Sequence, residues 1–182
     1  MNNKKKEEIL SGLSRRAQMA FAAVCGERAV AEGTKFSKQV AAHKKLLDKG
    51  LELAWKYAEG ADFDYQKDVF PTHRALAQTA PDLDQPGADE VFLYVVSGVA
   101  RPLLILERPE KSAAAAVSAS GCILNLVGLV YENPAKVEEV ERKWQAAALA
   151  LLKDWGSKPL KRGMFSMIPE PRRGTVRSLF AK

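Results

Sequence analysis

The chain has 182 residues, 47% of them apolar, enough for one domain with a sizeable core. Its formal charge is +6, but seven basic residues and only Glu170 follow Ser157, which leaves 21 residues of each sign in residues 1–156. A neutral body argues against a nucleic-acid face spread over the fold, because binding a polyanion takes clustered Lys and Arg.

The chain reads as helices from end to end. Ala17, Phe21, Val24, Cys25 and Arg28 fall on one stripe of a helix predicted from about Leu13 to Ala31, closed by Gly33. Thr34 is the expected N-cap of the next helix, where Leu47, Leu51, Ala54, Trp55 and Ala58 share a side as far as Gly60. Asp62 or Asp64 caps a third helix toward Lys67, and Pro71 permits a fresh start running through His73 to Ala80. PDLDQPGADE is a loop. Phe92, Val95, Val96, Val99, Leu103 and Leu106 then recur at the helical period, so helix is preferred to strand for VFLYVV. Pro102 inside that stripe predicts a kink or a break.

Ala113 to Tyr131 is uncharged and nearly long enough to span a bilayer. It is rich in Ala, Ser and Gly and carries Asn125, which fits a helix buried on all sides in a bundle better. Asn133-Pro134 is a strong start signal for a helix that places Val137, Val140, Trp144, Ala148, Leu151 and Trp155 in register and ends at Gly156. The expected fold is all-α: a single-domain bundle of six or seven helices over residues 1–156. The basic, proline-containing extension 157–182 is expected to pack on it as a strap. Leu160, Met164, Phe165, Met167, Ile168, Val176, Leu179 and Phe180 would dock, and the arginines would face outward.

Cys25 and Cys122 lie far apart in apolar runs, as buried reduced thiols do. SRRAQMAFAAVCGERAVA mimics an export signal, but Glu27-Arg28 interrupts its short apolar run, and the expected compartment is the cytoplasm.

Few residues point to chemistry. Asp82, Asp84, Asp89 and Glu90 lack the oxygen ladder of a metal loop and read as a solvated loop. His73, with Asp64 or Asp68 near in sequence, could act as a base but reads as a surface or capping histidine. Trp55, Trp144 and Trp155 read as core or tail-docking residues. Arg28 continues a buried stripe, and a charge there needs a partner. Glu27 and Arg28 therefore form either a structural ion pair holding the first helix to a later one, which is preferred, or an anion clamp. No catalytic residue, cofactor or metal is expected.

Four stretches together resemble the YjaG-like family of small bacterial cytosolic proteins of unknown function. Gln18, Phe21, Ala22, Cys25, Glu27 and Arg28 in QMAFAAVCGER are similar to that family's opening helix, and Phe36 to an aromatic after its turn. Leu47, Asp48, Leu51 and Trp55 resemble its second helix, and Asn133, Pro134, Glu139 and Trp144 its late one. The resemblance spans roughly residues 13–155, implies an α-helical fold and carries over no catalytic residue.

The function expected from these features is non-enzymatic: a protein-binding or regulatory role, such as an immunity protein that neutralises a bacterial toxin. Lys158, Lys161, Arg162, Arg172, Arg173 and Arg177 would meet an acidic protein surface. The alternative is a helical module that binds nucleic-acid phosphates through the same cations, with Phe165 and Phe180 available to stack. No membrane partner is expected.

Overall fold

A computed structural model describes residues 1–156, 158–171 and 173–177. Eight α-helices are found among them: α1 (Asn3–Ser11), α2 (Arg15–Gly33), α3 (Lys38–Ala42), α4 (Lys44–Glu59), α5 (Phe70–Thr79), α6 (Glu90–Glu107), α7 (Ser112–Val130) and α8 (Pro134–Trp155). A π-turn, Tyr65–Val69, leads into α5, and a 3-10 segment, Arg162–Met167, follows α8. The protein is an all-α bundle; no strand occurs among the described residues, and their one β-bridge pairs Tyr131 with Val176.

The axis of the bundle is α2, whose Met19, Ala20, Phe21, Ala22, Ala23 and Cys25 are fully buried. Its small residues let neighbouring backbones close in. A Cβ on Gly26 would stand 2.9 Å from the Gly98 carbonyl oxygen of α6. That carbonyl is the one Pro102 leaves without its usual amide donor four residues on. The helix nevertheless runs unbroken to Glu107, because α2, α4 and α7 pack around it. Pro109–Val130 is long and apolar enough to cross a membrane by length and composition. Here α7 packs against α1, α2, α6 and α8, with Ala116, Ala119, Ile123, Leu126, Val127 and Val130 inaccessible to solvent.

Caps refine the expected boundaries. Ser37, not Thr34, caps α3 by accepting the Val40 amide; Thr34 instead turns its hydroxyl back onto the Val30 carbonyl and closes α2. Asp64 caps the π-turn through the Lys67 amide, and Asn133 caps α8 through the Lys136 amide. Arg16, one of the twin arginines, reaches the C-terminus of α4, donating to the Tyr57 and Ala61 carbonyls at 2.6 and 3.3 Å and to Asp62 at 2.8 Å.

Beyond Gly156, Leu160, Met164 and Phe165 are buried. Phe165 lies between Trp55 and Trp144, with ring centroids 6.0 and 6.5 Å away. Trp155 donates its Nε1–H to the Pro159 carbonyl. These indoles bind the chain leaving α8, which is how a 3-10 segment too short to hold itself stays on the bundle. Met167 is exposed at 61%, so it does not dock. Arg172, Leu179 and Phe180 lie outside the described residues.

Candidate functional site

Arg28 sits about one and a half turns before the end of α2, facing α8. Its Nε and Nη2 donate to the two oxygens of Glu141 at 3.1 and 2.7 Å, a bidentate pair with both side chains buried. The guanidinium carbon lies 3.8 Å from the centroid of the Trp144 ring, one turn along α8. The remaining nitrogen, Nη1, donates to Glu170 of the strap at 2.7 Å. Burial works against the charge of Arg28, but Glu141 and then Glu170 raise its pKa, so the guanidinium stays ionised.

The network continues inward. Arg173 donates from Nη1 to Glu32 at 2.8 Å and from Nη2 to Glu141 at 2.9 Å, so one strap guanidinium bridges carboxylates from α2 and α8. Glu32 also accepts from the Tyr131 hydroxyl at 2.6 Å and pairs with Lys35 at 3.1 Å. Burial would lift the Glu141 carboxyl, yet its bonds and charge pairing with Arg28, followed by those of Arg173, outweigh this and hold it below the usual carboxylate range. Burial and then Glu32 push the Tyr131 phenol upward. Arg28, Arg173, Glu32 and Glu141 thus form a balanced buried quartet, the arrangement in which interior charges persist.

Above Arg28 opens a cleft of about 480 Å³, walled by Trp144, Phe165, Ile168 and Pro169 and flanked by Glu27 and Arg162. Glu27 pairs with Arg162 across the strap. Burial pushes Glu27 above the usual range, an effect partly offset by the Arg162 charge and bond. The indole N–H of Trp144 is buried without a hydrogen-bond partner among the described residues. The cleft therefore offers a stacked guanidinium and an aromatic wall.

The expected ion pair of Arg28 with a later helix is present, on Glu141, and the same arginine also clamps the Glu170 carboxylate. Glu27 belongs to a different pair, with Arg162. Of the tail cations expected to face outward, Lys158, Lys161 and Arg162 are exposed. Arg173 and Arg177 are not available in that way, which corrects the expectation. Arg173 is only 11% exposed, because two buried carboxylates need its charge. Arg177 donates to the Tyr131 and Gly128 carbonyls at 2.8 and 3.0 Å, closing the C-terminal end of α7.

The remaining candidates lie away from this cleft. His73 bonds neither Asp64 nor Asp68; its Nδ1 is 2.7 Å from the Tyr65 hydroxyl, which also reaches Glu107 at 3.2 Å. Burial lowers the His73 pKa. Asp89 caps α6, Glu90 accepts from the Tyr94 hydroxyl, and Asp82 accepts the Asp84 amide. Among the described residues, no three His, Cys, Asp or Glu side chains are grouped to hold a metal.

The sequence pattern assigns no site role to Glu32, Glu141, Glu170 or Tyr131, nor to Lys6. The Lys6 amine is fully buried and donates to Ser120 Oγ at 2.9 Å and Gln145 Oε1 at 2.7 Å. Two of these had a local signal. Glu141 falls on the stripe Val137, Glu141, Trp144, Ala148, and Glu32 lies one turn beyond Arg28.

No known protein family, curated protein or solved structure matches the chain.

Proposed function

We propose that this is a non-enzymatic protein-binding protein of regulatory or immunity type, acting in the cytoplasm, whose binding face is the cleft over Arg28 and Trp144. One observation carries the proposal. The outer nitrogen of Arg28, buried and stacked on Trp144, is matched by Glu170, whose side chain is 72% exposed at the cleft mouth. An acidic side chain of a partner has the same chemistry and could take that place. Arg, Trp and an aromatic wall are the residue types that dominate protein interfaces. Exposed Arg162, Lys161 and Lys158 stand nearby along the strap and would steer an acidic surface toward the cleft.

The nucleic-acid alternative has less support. Arg173 and Arg177 are engaged with the body, and the base-stacking role suggested for Phe165 is taken up between Trp55 and Trp144. Membership of the YjaG-like family likewise remains a proposal, carried by the helix residues that resemble it.

The test is retention of partners on immobilised full-length chain, with nuclease treatment and graded salt washes, beside an Arg162→Glu form. A single protein held by the wild type and lost with the charge reversal supports the proposal. Retention of nucleic acid alone, released by modest salt, would replace it with the alternative.

A further inference from the structure

The strap is bound in the manner of a peptide ligand. Between Glu170 and Arg177 its contacts fall at a regular set of positions. Glu170 accepts from the outer nitrogen of Arg28, and Arg173, three residues on, bridges Glu32 and Glu141. Gly174 turns the chain at φ +85°, a conformation that favours glycine. The Thr175 carbonyl then accepts the Glu132 amide at 3.1 Å, and the Arg177 amide donates to the Val130 carbonyl at 2.8 Å, around the bridge of Val176 with Tyr131. The Arg177 side chain finishes on the Gly128 and Tyr131 carbonyls. Backbone pairing supplies affinity and side-chain pockets supply selectivity, as in strand-addition recognition.

The bundle supplies the complementary half of every one of these contacts. Arg28 reads an acid, Glu32 with Glu141 reads a guanidinium, and the end of α7 reads an extended backbone and a second guanidinium. We propose that this groove is a peptide-recognition site with the chain's own residues 170–171 and 173–177 as resident ligand. Its external partner would be an extended protein segment with the same charge spacing: a carboxylate side chain, an arginine three residues later, glycine next, and a second arginine at the eighth position. This rests on reading the face as protein-binding and names the class of segment it takes. An external segment must compete with a tethered one whose effective concentration lies in the millimolar range, so the resident strap sets the threshold for binding.

The experiment titrates a labelled peptide of residues 168–177, IPEPRRGTVR, into full-length wild-type, Glu170→Ala and Arg173→Ala chains by fluorescence anisotropy. Weakening the resident strap vacates the groove. The Arg173→Ala chain should therefore bind at least about tenfold more tightly than the wild type, with Glu170→Ala between them. A peptide with alanine at its position 173 should lose at least about thirtyfold on the Arg173→Ala chain, since Glu32 and Glu141 then lack the guanidinium that bridges them. Equal affinity across all three folded chains would overturn the proposal. If Arg173→Ala does not fold alone, Glu170→Ala decides, because its exposed side chain supports no core: tighter binding than wild type upholds the proposal and equal binding sinks it. A concentration-dependent dimer that the free peptide converts to monomer would assign the groove to a second copy's strap and overturn the choice of a separate partner. Peptide binding without capture of any cellular protein would uphold the groove while removing the regulatory reading.

Discussion

Replacing Glu141 by Gln keeps the shape of the side chain and removes the charge on which the buried quartet centres. Glu141 accepts three bonds from two guanidiniums, Arg28 Nε and Nη2 and Arg173 Nη2, at 2.7 to 3.1 Å. The side chain is inaccessible to solvent, so water cannot stand in for the lost carboxylate. Removing one member of a buried ion pair typically costs about 3–5 kcal/mol, because the surviving charge is left buried. For a chain of this size that corresponds to a fall in Tm of roughly 6–20 °C. Thermal and urea unfolding followed by circular dichroism measure it directly. The pH dependence supplies an independent check. The folded pKa of Glu141 is depressed, so its contribution is fully present above the unfolded value of about 4.3 and is lost as pH falls through the folded value. Below about pH 4 the wild type should therefore lose more stability than Glu141→Gln does. A loss under about 1 kcal/mol at neutral pH, the range of exposed pairs, would mean that the charge of Glu141 does not hold the quartet.

Three further outcomes are expected. Phe165→Ala should accelerate amide exchange across residues 158–177 while exchange in α2 and α7 is unchanged, because the ring binds the strap to Trp55 and Trp144 and not the helices to one another; uniform acceleration would contradict this. Burial lowers the pKa of Lys6, so the unfolded chain binds more protons between the folded value and about 10.4. Wild-type stability relative to Lys6→Met should accordingly rise as urea unfolding is moved from pH 7 to pH 9.5, and a constant difference would show the amine titrating normally. Gly26→Ala should destabilise by about 1–3 kcal/mol in chemical denaturation, since its methyl would meet Leu51 Cδ2 at 3.0 Å and the Gly98 carbonyl oxygen at 2.9 Å, and that backbone cannot turn away as the leucine can.

The helical frame was legible because its apolar residues keep a helical period and its breaks fall at Gly, Pro and Asx positions. α1 escaped notice because NKKKEEILS buries only Lys6 and Leu10, and a lysine in a charged run reads as surface. Arg28 stood out as a charge on an apolar stripe. Its partner Glu141 lies 113 residues away and Glu170 lies 142 away, and no local pattern joins positions so distant. The strap was legible as apolar and basic together, but nothing in the tail singles out Arg173 as the inward one. That follows from the two buried carboxylates, Glu32 and Glu141, that α2 and α8 bring close enough for one guanidinium to bridge, a property of the packed helices and not of either segment.

In the proposed function a protein partner occupies the cleft over Arg28. The most direct test is a photo-crosslinking residue at Ser166, exposed on the cleft rim, compared with one at exposed Lys45 on α4, each in the full-length chain within living cells. One protein crosslinked at position 166 and absent at position 45, with the yield reduced by Arg162→Glu, is the expected result. Crosslinks to nucleic acid alone at position 166, or the same products from both positions, would contradict it.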